Sequence, residues 1–281
     1  MKRKKTALLA SFLAACSLLL SVGCDKTPSN LPENGESIET PDTGDSSTPE
    51  TTPDSTPEST PPPESEPPKP TVKQYIRCTG SSVNLRSGAG TDFTVLGQAE
   101  QGTMYAITGK TGSWYQTYYR GKTAYIYAEY ATVFTLPLSQ NEKTEAVIEE
   151  AYKHIGVPYV YGAIRLHDGK GNFLKGFTTQ KFDCSSLVQY VYYKAAGKLL
   201  NVTTRTQVTQ GKYVAKKDLQ RGDCIYFTNE SRQHLSGIER VGHVAIYLGN
   251  DYILHTASDY ARIEKMNKTR WSHYIEARRF V

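Results

Sequence analysis

The sequence predicts an α+β domain that follows a small all-β barrel and a disordered tether rich in proline, threonine and glutamate. Three observations carry this prediction. A helical pattern begins at Cys184 between strand-like runs, short strands punctuated by glycine occupy residues 71–136, and 12 of the chain's 14 prolines lie within residues 25–70. We therefore predict four segments, residues 1–24, 25–70, 71–136 and 137–281.

Residues 1–24 have the layout of a secretory signal. Four consecutive basic residues begin at the second position and precede an apolar run from Ala7 to Val22. A basic start and a short apolar stretch are typical of a signal rather than of a membrane-spanning helix. The Leu-Ser-Val-Gly before Cys24 resembles the end of a bacterial lipoprotein signal, which implies that Cys24 becomes the lipid anchor. An ordinary cleaved signal is one alternative. Cleavage at Cys16 is another, but it would leave three leucines exposed behind the anchor.

The tether and the folded region differ in charge. Residues 25–70 hold 11 acidic and two basic residues and few aliphatic ones, so they cannot bury enough apolar surface to offset the entropy of ordering. Residues 71–281 hold 27 basic and 17 acidic residues, a net charge of +10. A basic folded region favours an anionic partner, and behind a secretory signal an acidic wall polymer is favoured over nucleic acid. We expect membrane contact through the lipid anchor only.

Three cysteines follow the signal and tether, Cys78, Cys184 and Cys224. This number is too small and too scattered for a disulfide framework. Cys224 lies in a strand-like run and is interpreted as a buried apolar residue. A bridge between Cys78 and Cys224 stays open as an alternative in an oxidising compartment.

Residues 71–136 alternate short strands with glycine turns, which predicts a small all-β barrel. Three phrases, Val-Asn-Leu-Arg-Ser-Gly-Ala-Gly-Thr from Val83, Gly-Ser-Trp-Tyr from Gly112 and Thr-Ala-Tyr-Ile from Thr123, resemble the bacterial SH3-like domain of cell-wall enzymes. That resemblance implies either wall attachment or the shaping of a neighbouring active site. A spacer without a ligand is the alternative.

The 137–281 segment begins with a predicted helix. The three residues from Ser139 can cap a helix that runs to about His154 and ends before Gly156. Residues 165–179 then form a polar excursion around a glycine-rich turn. We interpret this excursion as an inserted hairpin and expect it to form a wall of a cleft.

A second helix is predicted to begin at Cys184. Asp183 is a good N-cap, apolar residues recur at helical spacing as far as Ala195, and Gly197 supplies the stop. A thiol in the first turn lies near the positive end of the helix dipole, which favours the nucleophilic thiolate. Free cysteine is also common in protein cores, so the hypothesis of a nucleophile depends on the partners of Cys184.

Two later runs, residues 241–248 and 252–257, predict a β-hairpin that carries two histidines. A three-residue loop would place His243 opposite Ala257 and would bring His255 onto the same face as His243. A two-residue loop would put the two histidines on opposite faces. Either histidine taken alone is more often structural or solvent-facing than functional.

Cys184, His243 and His255 together match the needs of nucleophilic catalysis. The thiol attacks, one imidazole takes and later returns the proton, and a third polar group orients that imidazole. A zinc site is disfavoured because the chain lacks paired Cys-x-x-Cys or His-x-x-x-His ligands around these residues. We expect neither a metal nor a cofactor.

Over residues 143–281 the chain resembles the NlpC family of bacterial cell-wall cysteine peptidases. The resemblance rests on Gly-x-Pro-Tyr-x-Tyr-Gly, Asp-Cys-Ser-Ser-Leu-Val-x-Tyr, Arg-Gly-Asp-x-Ile-x-Phe, Gly-His-Val-Ala-Ile-Tyr-Leu-Gly and the histidine that follows. It implies a circularly rearranged papain-like fold and cleavage of peptidoglycan stem peptides between γ-D-glutamate and the diamino acid. By motif it implies that Cys184 is the nucleophile, His243 the base and then the acid, and His255 the orienting residue.

The same resemblance implies substrate-binding residues. Tyr159 matches a tyrosine that lines the active site, and Asp183 and Ser185 match positions that bind a free L-alanine amine in some relatives. Ala163 and Ser186 replace glycines that are usual in the family. The implied partners are stem peptides or muropeptides, and we expect a monomer that is anchored outside the cytoplasmic membrane and reaches into the wall.

Two alternatives to an endopeptidase remain. A papain-like N-acetylmuramoyl-L-alanine amidase would release whole stems, and the Asp-Cys-Ser sequence with a histidine as third residue argues against it. A non-catalytic wall-binding lipoprotein would leave the stems intact, and the complete set of nucleophile, base and orienting residue argues against that.

Overall fold

Two antiparallel sheets and four α-helices make up residues 70–281, the part of the chain that the computed structural model describes. The strands are β1 (Val72–Cys78), β2 (Val83–Arg86), β3 (Val95–Ala99), β4 (Met104–Ala106), β5 (Gly109–Thr111), β6 (Trp114–Tyr119), β7 (Lys122–Tyr127), β8 (Ala131–Pro137), β9 (Lys212–Val214), β10 (Cys224–Phe227), β11 (His243–Gly249), β12 (Tyr252–Ala257), β13 (Tyr260–Lys265) and β14 (Tyr274–Arg279). The helices are α1 (Glu142–Tyr152), α2 (Cys184–Ala196), α3 (Thr204–Gln207) and α4 (Lys268–Ser272). The predicted α+β class is confirmed. The predictions for the signal, the anchor Cys24 and the tether up to residue 69 lie outside the described residues.

The two longer helices follow the predicted boundaries because local capping sets them. In α1 the Asn141 side chain accepts hydrogen bonds from the first turn. In α2 the Asp183 side chain accepts from the Ser186 N–H, and the Ser186 hydroxyl accepts from the Asp183 N–H, which completes a capping box. Gly197 ends α2 with φ of 64°, a left-handed conformation that glycine adopts without steric cost.

The N-terminal strands are divided between the two sheets. Five of them form a separate sheet in the order β3-β2-β7-β6-β5. The other three continue into the sheet of the second half of the chain, in the order β8-β1-β4-β13-β12-β11-β10-β14-β9. The junction lies between β4 and β13, where Met104 pairs with Ile263. The all-β region is therefore joined to the α+β region by backbone pairing as well as by side chains.

A buried arginine strengthens this junction. Arg221 donates through Nε and Nη2 to the two carboxylate oxygens of Glu145, at 2.7 and 3.0 Å. Its other N–H groups reach the Tyr75 hydroxyl at 3.0 Å, the Leu248 carbonyl at 2.9 Å and the Tyr152 hydroxyl at 2.9 Å. All five guanidinium donors are thus used. Because Tyr75 lies on β1 and Glu145 on α1, the arginine ties the two regions together.

The hairpin that carries the histidines has the predicted register but a different turn. Ile246 pairs with Leu254, which is the register that a three-residue loop would set. The turn itself has two residues, Asn250 and Asp251, with φ of 49° and 66°, and the ladder shifts by one residue before Gly249. The expected three-residue loop is therefore wrong. The bulge supplies the extra residue, so both histidines stay on one face.

The remaining predictions for the fold are resolved as follows. Cys78, Cys184 and Cys224 are free and buried, so the Cys78–Cys224 bridge is not formed. The insertion at residues 165–179 folds back on itself through one isolated bridge, between His167 and Phe173, rather than through a regular hairpin. Within residues 70–281, no helix has the length and apolar character needed to cross a membrane.

Candidate active site

Cys184 is the first residue of α2 and lies against β11. Its side chain is 8% exposed. Burial, aided by the neighbouring charge of Asp183, raises the pKa of the thiol to about 12, while hydrogen bonds from the Val244 and Ser185 backbones lower it. The thiolate expected from the helix dipole is therefore not the resting form, because burial outweighs the favourable N–H groups. A nucleophilic role for Cys184 therefore requires that the thiol give up its proton to a neighbouring base.

His243 and His255 meet as the sequence predicts. His243 Nε2 lies 2.8 Å from His255 Nδ1, and the two rings cross at 74°. His255 is 1% exposed, whereas His243 is half-buried. Burial lowers the pKa of His255 and holds the pKa of His243 well below its ordinary value. Both imidazoles are therefore neutral at pH 7, and each has one N–H to donate and one nitrogen that can accept.

Glu264 and Arg270 extend this chain of contacts. His255 Nε2 lies 3.3 Å from Glu264 Oε2, and Arg270 donates to Glu264 Oε1 through Nε and Nη2, at 3.0 and 2.8 Å. Burial would raise the pKa of Glu264, but His255 and Arg270 lower it to about 2. A carboxylate this close favours the His255 tautomer that carries its proton on Nε2, and in that tautomer Nδ1 accepts from His243 Nε2–H. The Nδ1 of His243 is then left without a proton and can accept one.

Sequence reasoning missed Glu264 because it did not recognise β13 as a strand. In the register of the sheet Arg262 lies opposite His255, and Glu264 is two residues further along the same face. The sequence does contain a signal for this strand. Apolar Ala261 and Ile263, which are buried, alternate with polar residues immediately after the predicted hairpin.

A cleft of about 490 Å³ opens beside Cys184. Tyr159, Asp183, Cys184 and Ser185, four of the residues selected from the sequence, line it. The lining residues that the sequence did not single out include Tyr161, Gly162, Arg165, Thr203, Thr204, Arg205, Asn229, Ser231, Arg232 and Gly242. His243 and His255 are not among the lining residues, but Val244, the residue after His243, contacts Cys184 through its backbone. The structure thus brings all six predicted site residues of the described region into one neighbourhood.

Two backbone contacts, one with Asp259 and one with Phe182, fix the position of Tyr159 at the cleft. Its N–H donates to the Asp259 carbonyl at 2.8 Å, and the residue bridges in parallel to Phe182, two positions before the nucleophile. Burial, with Cys184 and Asp183 nearby, raises the pKa of Tyr159 to about 12. The phenol therefore keeps its proton and can donate a hydrogen bond into the cleft.

Asp183 and Ser185 lie in the cleft wall but are already engaged. Asp183 Oδ1 accepts from the Ser186 N–H at 2.8 Å and from the Ser185 hydroxyl at 3.0 Å. Asp183 Oδ2 accepts from Arg165 Nη2 at 2.7 Å and from the Gly162 N–H at 3.2 Å. Arg165, which begins the insertion, was not singled out from the sequence. No local pattern indicates that it would turn back onto the helix cap.

A second, larger groove lies in the all-β region. It measures about 900 Å³ and is bordered by Trp114, Tyr127 and Tyr130 of the all-β region. None of the site residues selected from the sequence lines it. Within residues 70–281, no group of three or more His, Cys, Asp or Glu side chains is arranged to hold a metal ion.

Two family models match the chain, one described as "NlpC/P60 family" over residues 156–279 and one as "Bacterial SH3 domain" over residues 81–132. The "Gamma-DL-glutamyl hydrolase" of Bacillus subtilis (strain 168) is 34% identical over 136 residues, which are 48% of this chain and 29% of that protein. The "Probable endopeptidase YafL" of Escherichia coli (strain K12) is 29% identical over 143 residues, 49% of this chain and 50% of that protein.

Two further comparisons concern a peptidoglycan enzyme and a solved structure. The "Peptidoglycan endopeptidase RipB" of Mycobacterium tuberculosis (strain ATCC 25618 / H37Rv) is 30% identical over 122 residues, 43% of this chain and 46% of that protein. A crystal structure of an NlpC/P60 family protein from Bacillus cereus ATCC 10987 is 20% identical, with a TM-score of 0.40, and the match covers 74% of this chain and 63% of that one. The chain spans half or less of the length of the three curated relatives.

Proposed function

We propose that this chain, which contains an NlpC/P60 domain behind a bacterial SH3 domain, is a peptidoglycan hydrolase of the cysteine endopeptidase type. Its substrate would be the peptidoglycan stem peptide, cut between γ-D-glutamate and the diamino acid. The observation that carries the proposal is Cys184 at the start of α2, lining a cleft and contacting the backbone next to His243, which begins the His243–His255–Glu264 chain. The names of the relatives, which include a peptidoglycan endopeptidase and a γ-DL-glutamyl hydrolase, support it.

The proposed reaction begins with proton transfer from the Cys184 thiol to His243 Nδ1 while the sulfur attacks the amide carbonyl carbon. A C–S bond forms, and the carbonyl oxygen becomes an oxyanion. The Cys184 backbone N–H at the helix start and the Tyr159 hydroxyl would stabilise that charge. Because burial keeps the thiol neutral at rest, transfer and attack are expected to occur together rather than from a preformed thiolate.

The second half of the reaction returns the enzyme to its starting state. His243 gives its proton to the leaving amine nitrogen as the C–N bond breaks, which leaves a thioester on Cys184. His243 then takes a proton from water as that water attacks the thioester carbon. The C–S bond breaks and the sulfur recovers the proton. His255, with Glu264 behind it, would hold the His243 ring in the required tautomer throughout.

We further propose that the protein works outside the cytoplasmic membrane, anchored through a lipid on Cys24 and separated from the anchor by the tether. This proposal rests on the signal pattern of residues 1–24 and on the composition of residues 25–70. The +10 charge of residues 71–281 would concentrate the folded region on acidic wall polymers.

Mass spectrometry of purified muropeptides incubated with the chain tests the function. The expected product ends in γ-D-glutamate and disappears with Cys184→Ala. Cys78→Ala, which removes a buried thiol outside the cleft, is the matched control and should retain the product. Release of intact stems would indicate an amidase, and binding of wall fragments without any cleavage would indicate a binding protein.

A further inference from the structure

The cleft contains one carboxylate beside the nucleophile, and a bare carboxylate at that place would attract a substrate ammonium group. That carboxylate belongs to Asp183, the N-cap of α2, whose side chain is only 6% exposed. Among the residues that line the cleft in the described part of the chain, Asp183 is the only acidic one. Whether its charge is available therefore decides which substrate groups the cleft tolerates.

The guanidinium group of Arg165 forms an ion pair with the Asp183 carboxylate. Its Nη2 lies 2.7 Å from Asp183 Oδ2 and also donates to the Ser185 hydroxyl at 3.1 Å. With the contacts from Ser185, Ser186 and Gly162, the Asp183 carboxylate accepts four hydrogen bonds. Two carboxylate oxygens offer about four acceptor sites, so none remains for an incoming ammonium group.

The arginine is held in this position by its own contacts. Nε donates to the Val202 carbonyl at 3.1 Å, Nη1 donates to the Ala163 carbonyl at 2.7 Å, and the side chain is 15% exposed. The insertion is fastened to α2 next to it, because Gln189 donates to the His167 carbonyl at 3.2 Å. An ammonium group would have to displace a guanidinium with four hydrogen bonds in a site that is largely removed from solvent.

The other charged residues of the cleft act in the same direction. Arg205 and Arg232 also line it, and they share a single carboxylate, Glu239, at 3.5 and 3.4 Å. The three guanidinium groups therefore face two carboxylates, Asp183 in the lining and Glu239 outside it, which leaves the cleft with a net positive charge. A substrate cation is repelled there, whereas a neutral amide or a carboxylate is accepted.

From this geometry we propose that Arg165 closes the Asp183 position to cations. The chain then selects stem peptides whose N-terminal amine is acylated, as it is when the stem is still attached to its glycan, over stems with a free amine. This inference rests on the proposed function for the identity of the substrate. It makes Arg165 a specificity-determining residue.

Two stem peptides that differ only at the N-terminus test the proposal, one with a free L-alanine amine and one with that amine acetylated. Binding of each is measured by calorimetry to the Cys184→Ala chain, so that the comparison does not depend on turnover, and kcat/KM is measured on the unaltered chain. We expect the acetylated peptide to bind at least about tenfold more tightly. Arg165→Ala in the same background should abolish or invert that ratio by exposing Asp183.

Two further variants show whether the effect on the affinity ratio belongs to Arg165. Arg205→Ala removes the same charge from the cleft without a bond to Asp183, so the ratio of the two affinities should keep its direction. Arg165→Gln serves if Arg165→Ala fails to fold, as judged by its circular dichroism. Equal affinities, a preference for the free amine or no binding of the acetylated peptide would overturn the inference. A preserved ratio without cleavage of either peptide would overturn the proposed endopeptidase function instead.

Discussion

At the scale of single residues, Glu264 extends the set that the sequence identified. Within the described residues it does not line the cleft, and its side chain lies against His255. Burial lowers the pKa of His255 and His243, and the Glu264 carboxylate opposes this effect at both imidazoles. If His243 accepts the Cys184 proton as proposed, Glu264 is a positioning residue whose charge also keeps His243 basic enough for that step.

Glu264→Gln should lower kcat by about tenfold or more, a part of what a general base contributes. A neutral amide no longer stabilises protonated His255 or His243, so their pKa values fall and the acidic limb of kcat/KM should move to lower pH. The pH–rate profile of the variant checks both effects. Glu276→Gln, which removes a carboxylate bonded to Arg278 at 2.8 Å on β14, is the matched control. Superimposable profiles for the two variants would contradict the assignment.

At the scale of secondary-structure elements, the β11–β12 turn determines the site. A two-residue turn alone would separate the histidines to opposite faces, and the bulge before Gly249 restores the shared face. Asn250 and Asp251 both have left-handed conformations, with φ of 49° and 66°. A turn of this type prefers glycine at its second position.

Asp251→Gly and Asp251→Ala should therefore have opposite effects on stability. Glycine adopts positive φ freely, whereas alanine pays about 1–2 kcal/mol for it. We expect the free energy of unfolding to be higher for the glycine variant than for the alanine variant by about 1 kcal/mol, measured in urea at pH 7. The two substitutions remove the same carboxylate, so each controls for its loss. Equal stabilities would mean that the turn adopts another conformation.

What the sequence could predict at this scale follows from how local each signal is. The start of α2 was predictable because Asp183 and Ser186 lie within one turn of each other, and the histidine register followed from the period of two in strands. The two-residue turn could not be predicted, because a β-bulge has no signature of its own in the amino-acid sequence. Arg165 and Glu264 reach the site through tertiary contacts with α2 and His255. Such contacts depend on the path of the whole chain.

At the scale of the whole molecule, the all-β region and the α+β region share one sheet and one core. The Phe134 ring stacks on Tyr252 with centroids 5.1 Å apart, and Arg221 links β1 to α1 from a buried position. Removing one partner from a buried ion pair typically costs about 3–5 kcal/mol, because the other charge is left without compensation. The two regions should therefore unfold together.

Tryptophan fluorescence can follow the unfolding of each region separately, because each region contains one of the chain's two tryptophans. Trp114 lies in β6 and Trp271 in α4. Trp114→Phe and Trp271→Phe each leave one fluorophore, and we expect each to follow the same urea midpoint as circular dichroism of that variant. Adding Arg221→Ala should lower that midpoint by the loss of about 3–5 kcal/mol. Arg278→Ala, which breaks a partly exposed pair with Glu276 on β14, should cost about 1 kcal/mol or less. Separate midpoints for the two reporters would show independent domains.

The pairing of β4 with β13 also bears on where the chain can be cut. A fragment that begins after β8 would leave the Ile263 end of β13 as an open edge of the sheet, with the ring of Tyr252 uncovered, while the start of β13 stays paired with residues 156–158. An open edge with apolar neighbours is a template for pairing with another chain, and aggregation is the usual result. The strand so exposed carries Glu264, so self-association would begin beside the carboxylate that contacts His255. The all-β region thus protects the sheet that carries His243 and His255, whatever it binds.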